Sequence, residues 1–349
     1  MSSPERVNAL LAGKPIDRVP LWLLARGFCA RCVGYDIASI YNDPEKSFFA
    51  QQWTSEMFGV ENIPRLSYNQ PLTIDWGGEV EFPADVWAQS VVITRYPVNT
   101  EGDAWNLEVP DVRSARHLSM IMEFGKISRK FGLPVTINTG TPLNGASFLC
   151  GTNSLLRWMI KRPELVHHLL GLITAFYLEV ASFWVDTFGV EHLIVLQASP
   201  TESNQLISPK HYEEFALPYT KDLNEKLLTM GIKHIFSHIC GDQNLNLPSL
   251  AQIPMGNDSI VSVGHEVDLE TAIRYFGDTC IIAGNVEPAI IQHGSPQEVY
   301  DLAKQCIEKA KHAPRGYMLL PGCELPPNAP PYNVYMMKKA VDDFGWYDY

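Results

Sequence analysis

The chain has 349 residues, 46% of them hydrophobic and 19% charged, which is the make-up of a globular protein with a large core rather than of a disordered one. Its 27 Lys and Arg face 39 Asp and Glu, for a formal net charge of −12, and no basic cluster of the kind that tracks phosphates is present. Nucleic acid is therefore not an expected partner. The opening Met1-Ser2-Ser3-Pro4-Glu5-Arg6 lacks the apolar stretch of a secretory signal, and no uncharged apolar segment reaches 18 residues, so the expected location is the cytoplasm.

Ser3 and Pro4 open a first helix that Gly13 stops. Short apolar runs then recur at 19–24, 135–138, 193–197, 234–236, 260–263, 280–283 and 317–320, each followed by a polar or glycine-rich turn. Between them, apolar residues at helical spacing fall in 112–131, 153–161, 163–187, 209–230, 269–276, 296–311 and 332–343. Strand-then-helix alternation, with strands apolar on both faces, predicts a parallel sheet, and this many units predicts closure into a (β/α)8 TIM barrel. The chain length suits one such barrel as a single domain. The stretch at about 66–107 departs from the alternation, being rich in Trp, Pro and Gly, and reads as an inserted excursion with strand hairpins. Its Trp76, Trp87 and Trp105 suit an aromatic ligand, and equally a core or an interface.

Two of the runs end in metal-binding residue types. Ser237-His238-Ile239-Cys240-Gly241 follows one run and Pro321-Gly322-Cys323-Glu324 another. One imidazole and two thiolates form the borderline-soft set that Zn²⁺ prefers, and three protein ligands leave a fourth tetrahedral position open for chemistry. Active sites of TIM barrels collect at the carboxyl ends of the strands, which is where His238, Cys240 and Cys323 fall. A closed, structural zinc would need Glu324 or His265 as a fourth ligand. The seven cysteines, an odd number, read as thiols. The Cys29-x-x-Cys32 pair has no second pair to complete a zinc site, and Cys150, Cys280 and Cys306 lie in apolar surroundings that make them packing residues.

Several stretches carry a resemblance. Arg18-Val19-Pro20-Leu21-Trp22, Ser208-Pro209 with Glu214-Phe215-Ala216-Leu217-Pro218-Tyr219, Gly284-Asn285-Val286-Glu287-Pro288, and Gly322-Cys323 with Pro330 and Asn333-Val334 resemble the uroporphyrinogen decarboxylase superfamily over nearly the whole chain. The decarboxylase branch of that superfamily carries two arginines for substrate carboxylates after the Pro20 equivalent. Aligned without gaps they fall on Ala25 and Cys29, with Arg26 and Arg31 out of register. The chain is more similar to the branch of zinc-dependent corrinoid methyltransferases, whose His-x-Cys-Gly and remote Gly-Cys match His238, Cys240, Gly241, Gly322 and Cys323.

That resemblance implies Zn²⁺ on His238, Cys240 and Cys323, and a separate corrinoid protein as partner. The methyl group would pass from its methylcobalamin-type cofactor to a small acceptor, a thiol such as coenzyme M or tetrahydrofolate. The alternative is the reverse sense, O-demethylation of a methoxylated aromatic onto Co(I). A decarboxylase or a non-catalytic zinc barrel are the further readings. Two departures concern the small molecule: Gly264-His265 stands where an acidic residue is expected, and Glu324 where a small one is usual. His265 is a substrate contact or a solvated loop histidine, and Glu324 either caps the open position or points to water. Gln197 and Asn285 are the better substrate candidates among polar strand-end residues, ahead of Asn138 and Thr139, which also suit turn backbone.

Overall fold

The computed structural model of the chain describes residues 1–66, 72–84 and 90–348. Six strands pair in parallel in chain order: β3 (Val135–Asn138), β4 (Leu193–Ala198), β5 (His234–Ile239), β6 (Ile260–Val263), β7 (Ile281–Val286) and β8 (Tyr317–Pro321). They are numbered after the antiparallel hairpin of β1 (Glu79–Glu81) and β2 (Val92–Arg95), which lies within 66–107. The run at 19–24 makes bridges rather than a full ladder. Trp22 N–H donates to Leu319 O, Leu319 N–H to Pro20 O, and Glu61 N–H to Leu21 O, so 19–24 lies between β8 and the extended 60–66. From 60–66 to β3 the ladder is replaced by side chains, Thr136 Oγ1 donating to Pro64 O and Asn138 Nδ2 to Leu66 O. The sheet closes as the TIM barrel expected from the alternation.

Alternate residues face opposite ways on a strand, and this produces two separate apolar cores. Trp22, Leu24, Ile194, Leu196, Phe236, Ile260, Ile281, Met318 and Leu320 fill the barrel interior, where Trp22 packs edge-on against Phe236. Val7, Leu10 and Leu11 of the helix Ser3–Leu11 belong to the same cluster and plug the amino-terminal end. That helix is capped by Ser2, one residue earlier than Ser3, in a capping box with Glu5. Residues of the other parity, such as Val195, Ile235, Val261 and Ile282, form the layer between barrel and helices. Helix Pro163–Phe188 is long and apolar enough by composition to cross a membrane, and one face of it, from Leu165 and Leu169 to Phe176 and Trp184, is buried in this layer.

The helical reading of 209–230 resolves into Pro209–His211, a π-helical turn Tyr212–Ala216, and Leu217–Thr229, whose second residue, Pro218, has no N–H to carry the helical hydrogen bonding back into the preceding turn. Helices Gly27–Cys32, Pro44–Phe58 and Pro142–Cys150 have no counterpart among the expected segments, because their flanks hold few apolar residues at a clear spacing or are apolar all round. Trp76 is buried and packs edge-on against Phe176, whereas Trp105 is half exposed beside His168; Trp87 lies outside the described residues. Cys29 is buried, and burial pushes its thiol and that of Cys32 upward, Cys32 to about 11, which suits unreactive packing thiols.

Candidate metal centre

Strand β5 runs three residues further than the apolar pattern indicated, so His238 is on the strand and Cys240 just beyond it. His238 shares the inward parity of Phe236 and points into the barrel mouth, while Ile239 turns outward into the helix layer. Gly241 follows with a φ of 72°, a left-handed turn that a β-carbon would strain, and so reverses the chain directly after Cys240. The β8 side depends on a second glycine. A β-carbon on Gly322 would lie 2.8 Å from the His265 nitrogen and 3.3 Å from Asn285 O, so only glycine lets β8 bring Cys323 this close to the β6 and β7 loops.

His238, Cys240 and Cys323 converge, their ligand atoms all within 4.8 Å of one another, and they are the one such group of three among the described residues. The two sulfurs are 3.8 Å apart. His238 Nδ1 is 3.1 Å from Ser262 Oγ, its register neighbour on β6, and its buried Nε2 has no hydrogen-bond partner. A hydroxyl holding one ring nitrogen while the other stays bare is the arrangement that orients a histidine ligand. The hydrogen bond from Cys240 holds Cys323 well below the ordinary thiol range, with His238 adding to the effect. The same bond, with burial, pushes Cys240 up. A buried imidazole and two sulfurs with one ring nitrogen unsatisfied fit a Zn²⁺ ion.

The substrate expectations fare differently. Gln197 has the outward parity of Val195, and its Nε2 donates to Asn224 Oδ1 at 2.8 Å behind the barrel wall, away from the mouth. Asn285 has both amide hydrogens committed, to Gly264 O at 3.0 Å and Val267 O at 2.7 Å, and so fastens the β6 loop instead of offering them to a ligand. Glu324 points neither to water nor across an open metal position: its Oε2 is 2.9 Å from Arg26 Nε, with Arg65 Nη2 at 3.9 Å. His265 is on the rim, 39% exposed, its Nδ1 3.4 Å from Glu266 Oε2. Asn138 and Thr139 bond backbone carbonyls.

Ser262, Arg65 and Glu202 were not singled out from the sequence. Ser262 had a readable signal, a lone hydroxyl at an inward position of an otherwise apolar strand. Glu202 follows β4, is buried, accepts from Thr141 Oγ1, and keeps Oε2 without a partner; burial raises its carboxyl to about 7.

The family model described as uroporphyrinogen decarboxylase (URO-D) matches residues 2–344. The chain belongs to the uroporphyrinogen decarboxylase family. Within this family it is 26% identical to the methylcobamide:CoM methyltransferase MtaA of Methanosarcina barkeri, over 97% of each chain. It is 22% identical to the uroporphyrinogen decarboxylase of Chlorobium luteolum, over 95% of each. A solved methyltransferase from Methanosarcina mazei shares the fold, with a TM-score of 0.82, 23% identity and 99% of each chain covered. For a member of the uroporphyrinogen decarboxylase family the barrel is thus as expected, and the mouth of this one holds a His-Cys-Cys cluster.

Proposed function

We propose that this chain is a zinc-dependent methyltransferase that moves a methyl group between a corrinoid carried on a separate protein and a small acceptor, a thiol such as coenzyme M, or tetrahydrofolate. The observation that carries the reading is the convergence of His238, Cys240 and Cys323 with a bare, buried imidazole nitrogen. The full-length match to a methylcobamide:CoM methyltransferase supports the methyl-transfer chemistry.

Zinc held there supplies positive charge that favours the thiolate form of a thiol substrate at neutral pH. His238 contributes Nε2, since Ser262 occupies Nδ1 and fixes the ring plane. Cys240 and Cys323 would contribute two sulfurs whose combined charge, once both are deprotonated, balances a divalent ion, and three protein ligands would leave the ion able to take up a substrate atom. The apolar interior below, with Phe236 and Trp22, keeps water from reaching the cluster from beneath. A corrinoid protein would approach from the carboxyl-end face and dissociate after transfer, as a transient interface does.

Metal analysis tests the ligands: about one zinc per chain is expected in the wild type and close to none in Cys240→Ser or Cys323→Ser. Full retention in both variants would overturn the assignment. The chemistry is tested by following the corrinoid spectrum with zinc-loaded protein, methylcobalamin and a panel of thiols and tetrahydrofolate, against a reverse arm of Co(I) corrinoid and methoxylated aromatics. Turnover in the forward arm is expected. Turnover confined to the reverse arm would make the chain the ether-cleaving component, and silence in both with zinc intact would sink methyl transfer.

A further inference from the structure

Beside the candidate metal centre lies a buried carboxyl, Glu202. It ends the short 3-10 helix Pro200–Glu202 that follows β4, and it is 1% exposed. Thr141 Oγ1 donates to one carboxyl oxygen, and the other, Oε2, is buried without a partner. No Lys, Arg or His among the described residues pairs with it, and the titratable groups that feel its charge are Tyr177, Tyr212 and Cys240. Burial first, and then that charge, push both phenols up, so they stay neutral. Glu202 borders a cavity of about 20 Å³ behind the barrel wall, with Thr141, Ser199, Tyr212, Thr220 and Ser237 also in its lining. That is room for one water, and the lining offers the several polar partners a buried water needs.

The turn that carries Glu202 is knitted to the strand that carries two of the metal ligands. Ser199 donates to His238 O from both its N–H and its hydroxyl, each at 3.2 Å. Gln243 Nε2 bridges Ser199 O at 2.7 Å and Cys240 O at 3.1 Å, and Asn246 Nδ2 donates to Glu202 O at 2.8 Å. Carboxyl and cluster are thus held in one frame, and the field between them runs through protein rather than water. After its hydrogen bond to Cys323, burial and the Cys323 charge, what holds the Cys240 thiol up is the charge of Glu266 and of Glu202. Glu266 stands on the rim with its side chain 30% exposed, where water and salt screen it. Glu202 has no such screening, and burial raises its carboxyl to about 7, so near neutral pH it can either hold a proton or release it.

Resting on the thiol-acceptor form of the methyl-transfer reading, we propose that Glu202 is the proton store of the metal centre. It takes up a proton when an anionic sulfur arrives at the His238, Cys240 and Cys323 cluster and returns it when that charge leaves. The exchange balances as R–SH plus the Glu202 carboxylate giving R–S⁻ plus the Glu202 carboxylic acid. The S–H bond breaks with its electron pair kept by sulfur, and an O–H bond forms at the bare carboxyl oxygen, with room beside it for a water to accept that hydrogen. The net charge of the buried region is unchanged, so the anion enters without a second uncompensated negative charge beside it. The coupling is reciprocal: an anion at the cluster favours protonation of Glu202, and protonation of Glu202 favours the anion by the same factor.

Calorimetric titration of the zinc-loaded protein with 2-mercaptoethanol, in buffers of different ionisation enthalpy, counts the protons released per thiol bound. At about pH 5.5 Glu202 is already protonated, and wild type and Glu202→Gln should both release about one proton. At about pH 7.5 the wild type should release about half a proton, because the carboxyl takes up the rest, and Glu202→Gln still about one. The apparent affinity should accordingly climb about tenfold per pH unit in the variant and about threefold in the wild type between about pH 7 and 8. Thr141→Val removes a donor to the ionised carboxyl, so it should move the wild-type departure to higher pH, and it serves in place of Glu202→Gln if that variant unfolds. Equal proton counts in wild type and Glu202→Gln at the higher pH, or a Thr141→Val profile that coincides with the wild type, would overturn the proposal. Absence of thiol binding at every pH would instead overturn the thiol-acceptor reading, and the inference with it.

Discussion

The two ends of the barrel each bury a pair of arginines on a shared glutamate, and the two clusters are built to different standards. At the amino-terminal end Glu61 is fully buried and accepts from Arg6 Nη1 at 2.6 Å, Arg18 Nη2 at 3.1 Å and the Leu21 nitrogen. Asp17 takes the remaining edge of Arg6 and also the exposed amino terminus. Two arginines there meet two carboxylates, and none of their buried side-chain atoms is among the unpartnered ones. At the carboxyl end Arg26 and Arg65 meet Glu324 alone, with a bare nitrogen and a bare oxygen. A satisfied buried ion cluster ties the plug helix to the barrel; the one at the mouth leaves hydrogen-bonding capacity unfilled beside the candidate metal centre.

If that contrast holds, substitutions should separate fold from function, and the largest stability loss is expected at the balanced end. Glu61→Ala leaves buried Arg18 with no carboxylate and Arg6 with Asp17 alone, a change that costs about 3–5 kcal/mol, and urea denaturation should show it; a loss near the surface-pair range would contradict the structural reading of this cluster. Glu202, a third buried carboxyl, has no cation partner among the described residues and is the natural control. Its folded-state carboxyl, raised from 4.5 to about 7, keeps a proton that the unfolded chain releases. Its contribution therefore favours folding below about pH 4.5 and is lost as pH rises through about 7. The interval from 4.5 to about 7 corresponds to about 3 kcal/mol, and Glu202→Gln should remove that part of the pH dependence of stability between about pH 4.5 and 7.

Smaller effects are expected around the metal cluster itself. Ser262→Ala frees His238 Nδ1 while leaving all three ligand atoms in place, so zinc affinity measured by chelator competition should fall about 10- to 100-fold with the fold intact. An unchanged affinity would mean that the hydroxyl does not orient the imidazole. Smallest of all is the stability change in Glu324→Gln, about 1 kcal/mol or less, because this cluster is already incompletely satisfied and an amide there strands no satisfied pair. A loss as large as that of Glu61→Ala would show the two clusters to be alike.

Much of the fold was legible because its signals are local. Six of the seven apolar runs coincide with ladder strands to within a few residues at each end, and the run at 19–24 forms the bridge that closes the barrel. The His238, Cys240 and Cys323 set was legible for a related reason: a ligand type standing directly after a strand in this fold faces the mouth. Chain order on the local scale therefore carried the barrel and its metal-binding residue types. Orientation at strand ends was another matter. Gln197 and Asn285 stand at strand ends as their candidacy required, yet one has outward parity and the other is committed to loop carbonyls. Glu324 and Arg26 are 298 residues apart in the chain. What the sequence alone determined was the alternation and the positions of the residue types, since these follow from periodicity and turn chemistry. The tertiary structure decided which polar groups were already satisfied and which were left bare, because a hydrogen-bond partner is chosen by closure of the barrel and not by neighbourhood along the chain.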